Sequence, residues 1–372
     1  MIADAINICH CTSAHHRYDT RIFLKECRSL SNEGYQVAFV VADGKGDEIK
    51  DNVYIHDVGL AKGRIDRIVK ISRKVLEKAR ALNAQIYHFH DPELIPAGLR
   101  LKRMGKIVIF DSHEDYPKQI QSKPYIHPFL RLTLSYVFSI FEKWACKRFD
   151  AIVAATLSIK KKFLFINKNT IVVNNYPILY EFFPNSDDWE KKELRICYVG
   201  GIATVRGIQE LIKAMEHVNP GIRLLLAGSF NETNVEKKVK GYNGWERVDY
   251  EGFVDRAGVR HIFNRSIVGI VTLWPIPNYL DSMPIKMFEY MSSGLPVVAS
   301  NFPLWREIIE GNQCGICVDP LAPGAISEAI NYIVENPEQA EKMGYNGRRA
   351  VANRYNWQLE EKKLFDLYSS FG

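Results

Sequence analysis

Asp281-Ser-Met-Pro-Ile-Lys-Met-Phe-Glu-Tyr-Met-Ser-Ser-Gly-Leu-Pro-Val-Val-Ala-Ser300 reads as a helix held between two strands. Pro284 suits the first turn of a helix, Ser282 is placed to cap it, and Gly294 with Pro296 stops it. The β-branched run Val268–Val271 precedes the segment, and Val297–Ser300 closes it. The helix therefore opens beyond the end of a strand, where unpaired amides and the positive dipole end form a ready diphosphate site. Lys286 adds a charge in the same turn, and Glu289 shares its face by i,i+3 spacing. A carboxylate there can accept hydrogen bonds from two sugar hydroxyls. The residues alone also fit a capped amphipathic helix with a solvated glutamate.

Strands and helices alternate on both sides of this segment. In the first half Ile6–Cys9, Gln36–Val41, Gln85–His90, Ile107–Asp111, Ala151–Ala155 and Thr170–Val173 read as strands. Helical patterns at Arg21–Glu33, Ile65–Leu82, Leu94–Met104 and Pro128–Arg148 separate them. That spacing predicts βαβ units and a parallel sheet. Pro177–Glu193, rich in Pro, Asn, Asp and aromatic residues, interrupts the pattern. The alternation restarts at Arg195–Val199, Gly207–His217, Arg223–Ala227 and Val248–Glu251, and ends in the helices Pro323–Asn336, Pro337–Tyr355 and Trp357–Phe371. The expected fold class is α/β, with two Rossmann-like domains: residues 1–185, residues 186–354, and a final helix, 355–372, packing back toward the first. Ligands of such sheets lie at the carboxyl ends of the strands.

The 372 residues are 47% apolar and 25% charged, enough for two buried cores. Met1-Ile-Ala-Asp-Ala lacks the basic start of a signal peptide, and no apolar run reaches bilayer length. Seven scattered cysteines argue for a reducing compartment rather than a disulfide framework. Cys314-Gly-Ile-Cys317 is a lone pair with no second one to complete a zinc site, and Cys9-His-Cys11 sits in a first strand, where alternate residues face opposite sides; small buried residues fit both. The net charge of +6 is uneven: residues 1–185 carry 28 Lys and Arg against 19 Asp and Glu. A basic first half suits an anionic partner, although a solvated surface fits as well. No nucleic-acid recognition motif accompanies it.

From Pro284 to Ser300 the sequence resembles the donor-site signature of the retaining glycosyltransferases of family 4, which have the GT-B fold, two Rossmann-like domains facing across a cleft. The resemblance extends over nearly the whole chain. It implies transfer from a nucleoside diphosphate sugar, UDP- or GDP-linked, with no cofactor and no metal. That family carries two glutamates with seven residues between them. Glu289 matches the second, which binds the ribose, and the first falls on Asp281, a shorter acid. Ser282, Met283 and Pro284 then belong to the donor-binding loop. Tyr198-Val-Gly200-Gly201-Ile202, followed by Arg206-Gly207, is similar to the strand–loop–helix where backbone and two basic residues hold the diphosphate. Arg206 matches the second of these, Gly201 stands where many members carry arginine, and Lys286 is the nearest substitute. Gly252 and Phe253, in Tyr250-Glu-Gly-Phe-Val254, match the loop whose backbone holds the base, and Ala227-Gly228-Ser229 matches a small turn near the same site.

In the first half, His113 in Asp111-Ser-His-Glu-Asp115 matches a histidine that the family turns toward donor sugar and acceptor. His90 and Asp91, after a strand, would line the same edge. His88-Phe-His90-Asp91 also has the look of a metal site, but the resemblance implies metal-free chemistry and none is assigned. The loop Ser13–Arg21 is polar and basic where the family has glycines. Thr12 or Ser13 could reach a phosphate, and Arg17 and Arg21 could pair with Asp19 or meet an anionic acceptor. The helix Lys62–Leu82 bears eight basic residues beside an apolar stripe of Ile65, Ile68, Val69, Val75, Leu76 and Leu82, and Leu130–Trp144 is apolar nearly all round. These fit a cytoplasmic protein, peripheral at the inner face of a membrane, that meets a glycan or lipid-linked acceptor in polysaccharide synthesis. A solvated helix face and a buried core helix fit them too. The rivals are a nucleotide-sugar epimerase or hydrolase of the same fold, and an inactive glycosyltransferase-like scaffold.

Overall fold

A computed structural model describes residues 6–122, 127–183, 189 and 192–372. The chain forms two compact units, Met1–Asn175 with Trp357–Gly372, and Tyr176–Asn356. The boundary read from composition, between 185 and 186, lies outside the described residues. The second unit claims its chain earlier because Tyr176 and Phe182 are buried in its core, against Phe288 and Phe263 respectively.

The first unit is built on an eight-stranded sheet. Its strands are β1 (Asn7–Cys11), β2 (Gln36–Val41), β3 (Glu48–Lys50), β4 (Val53–Asp57), β5 (Ile86–Phe89), β6 (Ile107–Ser112), β7 (Ala151–Ala154) and β8 (Thr170–Val172). The order is β3-β4-β2-β1-β5-β6-β7-β8. All neighbours are parallel except β3 and β4, an antiparallel hairpin that the strand–helix reading missed. Its signal was Asp51-Asn52, both at positive φ, which is the chemistry of a tight two-residue hairpin turn.

The helix expected at Arg21–Glu33 begins as a wide π-type turn, Ile22–Cys27, before continuing as α-helix through Asn32. The extra residue per turn brings Lys25, Glu26 and Cys27 all inside. The C-terminal helix Trp357–Ser369 is part of this unit. Trp357 donates from Nε1 to Ser29 Oγ at 2.8 Å, and Leu364, Leu367 and Tyr368 are buried with it.

The second unit has six parallel strands: β9 (Arg195–Val199), β10 (Arg223–Ala227), β11 (Val248–Gly252), β12 (Val268–Val271), β13 (Val297–Ser300) and β14 (Gly315–Val318). Their order is β11-β10-β9-β12-β13-β14. β9 to β11 run outward on one side and β12 to β14 on the other, so the strand order reverses between β9 and β12. In an open α/β sheet that reversal leaves the crevice in which ligands bind.

Two expectations about the first unit's surface change. In the helical stretch Arg64–Leu82 only the second half is a core stripe. Ile71, Val75, Leu76 and Ala79 are buried, whereas Ile65, Ile68 and Val69 are exposed. The helix Pro128–Cys146 is not a core helix along its length. Phe129, Leu130, Leu132, Leu134, Tyr136, Val137, Ile140 and Trp144 are all exposed. Among the described residues no helix is long and apolar enough to cross a membrane.

Candidate functional site

The loops leaving β9, β10 and β12 are drawn together by glycines that nothing else could replace. A Cβ on Gly228, at φ +140°, would stand 2.0 Å from Gly200 O, and one on Gly207, at φ +74°, 1.9 Å from Thr272 O. Gly228 N donates to Gly252 O at 2.7 Å and Gly200 N to Ala227 O at 2.9 Å. Gly200 and Gly201, Gly228 and Gly252 thus form one rim at the carboxyl end of the sheet, beside the reversal point.

Two cations meet over this rim. Arg206 Nη1 donates to Gly201 O at 3.3 Å. Lys286 is buried, and its Nζ has no hydrogen-bond partner. It sits 3.6 Å from the centroid of the Tyr198 ring and 3.2 Å from where a Cβ on Gly200 would be. Burial, and then the neighbouring Arg206 charge, push the Lys286 ammonium well below the usual lysine range. Asn231 Nδ2 and Arg206 Nη1 each lie 3.3 Å from the Cβ position of Gly201. A side chain at 201 would need both groups to give by a few tenths of an ångström, whereas Lys286, in the first turn of the helix Ile285–Ser292, brings a second cation to the rim. A buried ammonium beside a guanidinium has a large electrostatic deficit that an anion would fill.

The loop before the helix Ile285–Ser292 differs from the expected cap. Ser282 does not cap it: Ser282 Oγ donates to Tyr279 O at 2.9 Å, and Ser282 O accepts from Trp305 Nε1 at 2.7 Å. Pro284 is the residue immediately before the helix rather than inside its first turn. The loop is fixed by Trp305, which is fully buried, instead of by a capping side chain. Met283 packs with Tyr176, whose hydroxyl is 3.9 Å from Met283 Sδ. Asp281 is exposed.

Glu289 is not a solvated glutamate. It is buried, and its Oε1 accepts from Arg256 Nη1 at 2.7 Å. Arg256 in turn clamps Glu181 through Nε at 2.8 Å and Nη2 at 2.7 Å. The sequence reading missed Arg256, although Asp255 before it is a helix cap, accepting from Gly258 N at 2.8 Å. Gly252, at φ +65°, has open space where a Cβ would be, and the Phe253 ring is 82% exposed.

In the first unit His113 follows β6, is half-buried, and keeps a buried Nδ1 without a hydrogen-bond partner. Its ring meets His15 edge-on at 5.1 Å. Burial would lower the His15 pKa, but the Asp19 hydrogen bond at 3.0 Å and the Asp91 charge overcome it and raise it to about 9. His15 is therefore a cation at neutral pH. It was missed because a loop histidine carries no periodic signal.

Several first-unit expectations are corrected. Thr12 and Ser13 are not free for a phosphate: Asp91 Oδ2 accepts from Thr12 Oγ1 at 2.7 Å and from Ser13 N at 2.6 Å. Arg17 pairs with Asp43 at 2.7 Å and Glu48 at 2.9 Å, not with Asp19. Arg21 takes Asp111 through Nε at 2.7 Å and Nη2 at 2.8 Å, and Val173 O through Nη1 at 2.9 Å. His90 lines no edge. It is wholly buried, with Nδ1 3.0 Å from Asp111 Oδ2.

Two family models match the chain: the Glycosyltransferase Family 4 model over residues 20–174 and the Glycosyl transferases group 1 model over residues 180–350. The alpha-D-kanosaminyltransferase of Streptomyces kanamyceticus is 25% identical over 181 residues, covering 48% of this chain and 46% of that one. The capsular polysaccharide biosynthesis glycosyltransferase CapM of Staphylococcus aureus is 24% identical over 260 residues, 63% of this chain and 66% of that one. The chain thus spans about half the length of the first of these and two thirds of the second. Among solved structures, the sucrose-phosphate synthase of Thermosynechococcus elongatus superposes with a TM-score of 0.79 at 19% identity over 98% of both chains. Anabaena HepE in complex with UDP-glucose gives 0.75 at 14% identity, covering 98% of this chain and 100% of that one. The solved structures share the fold, and the two family models, which follow one another over residues 20–174 and 180–350, show the family: the chain belongs to the glycosyltransferases, a family 4 domain leading and a group 1 domain following.

Proposed function

We propose that this glycosyltransferase is a retaining, metal-independent enzyme that moves a sugar from a UDP- or GDP-sugar to a glycan or lipid-linked acceptor in polysaccharide synthesis. The observation that carries the reading is the unpaired Lys286 ammonium beside Arg206 over the Gly200-Gly201 loop. A diphosphate laid there would neutralise both cations. As the bond from the anomeric carbon to the phosphate oxygen breaks, negative charge grows on that oxygen, where Lys286 and Arg206 stabilise it most. The acceptor hydroxyl then attacks on the same face and its proton passes to the departing phosphate. Glu289, held in place by Arg256, accepts the ribose hydroxyls, and the Gly252–Phe253 backbone holds the base. Asp281, Ser282, Met283 and Pro284 shape the donor loop. His113 positions sugar or acceptor. HepE with UDP-glucose supports the donor class, and CapM supports the polysaccharide setting.

A matching nucleoside diphosphate at about a hundred times its dissociation constant should stabilise the protein by about 2.7 kcal/mol. A thermal-shift panel of UDP, GDP, dTDP and ADP reads this directly, and no shift with any of them would remove the donor assignment. His113→Ala should keep the nucleotide shift and lose transfer. A variant that melts early yet transfers normally would make His113 structural.

Membrane association is proposed to run through the exposed apolar helix Pro128–Cys146, flanked by Lys143, Lys147 and Arg148. The helical stretch Arg64–Leu82 contributes less charge than its sequence promised, since Arg67, Lys70, Arg73 and Lys78 each face a carboxylate. Each remaining basic residue near an anionic surface adds about 1 kcal/mol. Sedimentation should show binding to anionic but not neutral liposomes at low salt, released at high salt. Negligible binding to both would point to a soluble acceptor.

A further inference from the structure

Three histidines meet on one face of the first unit's sheet. His10 on β1 and His88 on β5 are cross-strand partners, and His90 lies two residues beyond His88 on the same face. All three are completely buried. The π-type turn Ile22–Cys27 lowers Glu26, also completely buried, onto them. Glu26 Oε2 lies 3.9 Å from His10 Nδ1, 3.8 Å from His88 Nδ1 and 3.9 Å from His90 Nε2. His10 Nδ1 and His90 Nε2 are 2.9 Å apart.

The carboxylate at the centre is unsatisfied. Neither oxygen of Glu26 has a hydrogen-bond partner. Its Oε1 is 3.2 Å from Arg21 Nε, but Arg21 spends its hydrogen bonds on Asp111 and Val173 O. A buried carboxylate without donors is costly. The Asp91 that the sequence offered as a ligand is absent from the group because it is committed to Thr12 and Ser13.

We propose that His10, Glu26, His88 and His90 bind a first-row divalent cation of the zinc class, as a structural centre of the first unit. Their ligand atoms all lie within 4.8 Å of one another. Four-coordinate zinc with bonds of about 2.0–2.2 Å sets its ligand atoms roughly 3.3–3.6 Å apart, so small side-chain shifts close the site. Three imidazoles with one carboxylate suit zinc better than the hard cations, which take oxygen. The outer contacts that such a centre needs are present. His90 Nδ1 faces Asp111 Oδ2 at 3.0 Å, and His10 Nε2 faces the Tyr368 hydroxyl at 3.3 Å. On binding, His88 gives up its 2.9 Å contact with that hydroxyl for the metal. The cation would tie β1, β5, the π-type turn and, through Tyr368, the C-terminal helix. It is proposed as a structural centre of the first unit, and the transfer chemistry is assigned to other residues.

The test is the zinc content of tag-free, full-length protein made in zinc-supplemented medium and dialysed against a chelator. About one equivalent per chain is expected by plasma mass spectrometry. Glu26→Gln, which keeps the side-chain shape, should lower it by at least about tenfold. In a second measurement, protein unfolded with chelator is refolded with Zn²⁺ alone or without metal. The zinc-refolded parent should melt higher, and Glu26→Gln should melt the same either way. Refolding with Co²⁺ should give the visible bands of a four-coordinate site. Parent protein with less than about a tenth of an equivalent by both routes, or Glu26→Gln holding as much zinc as the parent, overturns the proposal. Should Glu26→Gln not fold, His88→Gln takes its place with the same criteria.

Discussion

Lys286→Met should lower turnover by about 10²–10³-fold while leaving the unliganded protein as stable as the parent, or more so. The two effects have one cause. Without an anion, Lys286 is a buried group with no hydrogen-bond partner, next to the like charge of Arg206. Methionine fills a similar volume without that cost. In the transition state the same ammonium faces the charge that develops on the leaving diphosphate, and methionine offers nothing there. Arg206→Ala should cost turnover on the same scale. Near-parent kinetics in both variants would end the role assigned to them.

The protonation of Lys286 gives a further signature. Its folded pKa lies below its unfolded one, so the unfolded chain binds the proton more readily, and stability rises with pH between the two values. An anion draws the proton back. Nucleotide binding should therefore take up protons at pH values above the depressed pKa, and affinity should tighten as pH falls through that window. Calorimetry in buffers of different ionisation enthalpy measures the uptake, and Lys286→Met should abolish it. Buffer-independent heats across the window in the parent would show that Lys286 is already protonated before the anion arrives.

The architecture was legible wherever periodicity was strong. Apart from β4, the parallel strands of both sheets lie within a residue or two of the runs read from β-branched patterning, because buried parallel strands are near-continuous apolar runs. β3 escaped because it is a three-residue, mostly charged edge strand, and β4 was not read although its Val53 and Ile55 are buried beside β2. The site was legible in its anchors and not in its partners. Lys286, Arg206 and Glu289 sit on elements whose positions the sequence implies. Arg256 on Glu289, and His15 beside His113, depend on which loops meet. The same limit explains Arg17 and Arg21. Both are four or fewer residues from Asp19, yet each reaches across 26 or 90 residues to Asp43 or Asp111. Local spacing ranks neighbours along the chain, whereas a parallel sheet brings together residues that are far apart in it.

Arg21→Met should therefore destabilise the first unit by about 3–5 kcal/mol, far more than its place in a polar loop suggests. Arg21 and Asp111 are both buried, and Arg21 alone bridges Asp111, Glu26 and the carbonyl at the end of β8. Removing it leaves Asp111 to His90 Nδ1 at 3.0 Å, takes the guanidinium charge from beside the already unsatisfied Glu26, and strips Val173 O of its donor. Asp111, largely through Arg21, is held well below the usual carboxylate range despite its burial. A depressed folded pKa contributes stability that is present above the unfolded value and lost as pH falls through the folded one. The parent should therefore keep this contribution down to acid pH. In Arg21→Met the Asp111 pKa should rise, so that the loss of stability on acidification starts at higher pH. Calorimetric scans at neutral and mildly acidic pH would measure both effects. The Arg17→Met variant is the control. Arg17 also holds two carboxylates, but Glu48 is a third exposed and recovers its hydration when the partner goes. Its loss should be the smaller one. Equal losses in the two variants would mean that the buried position of Asp111 carries no special cost and that Arg21 acts only by packing.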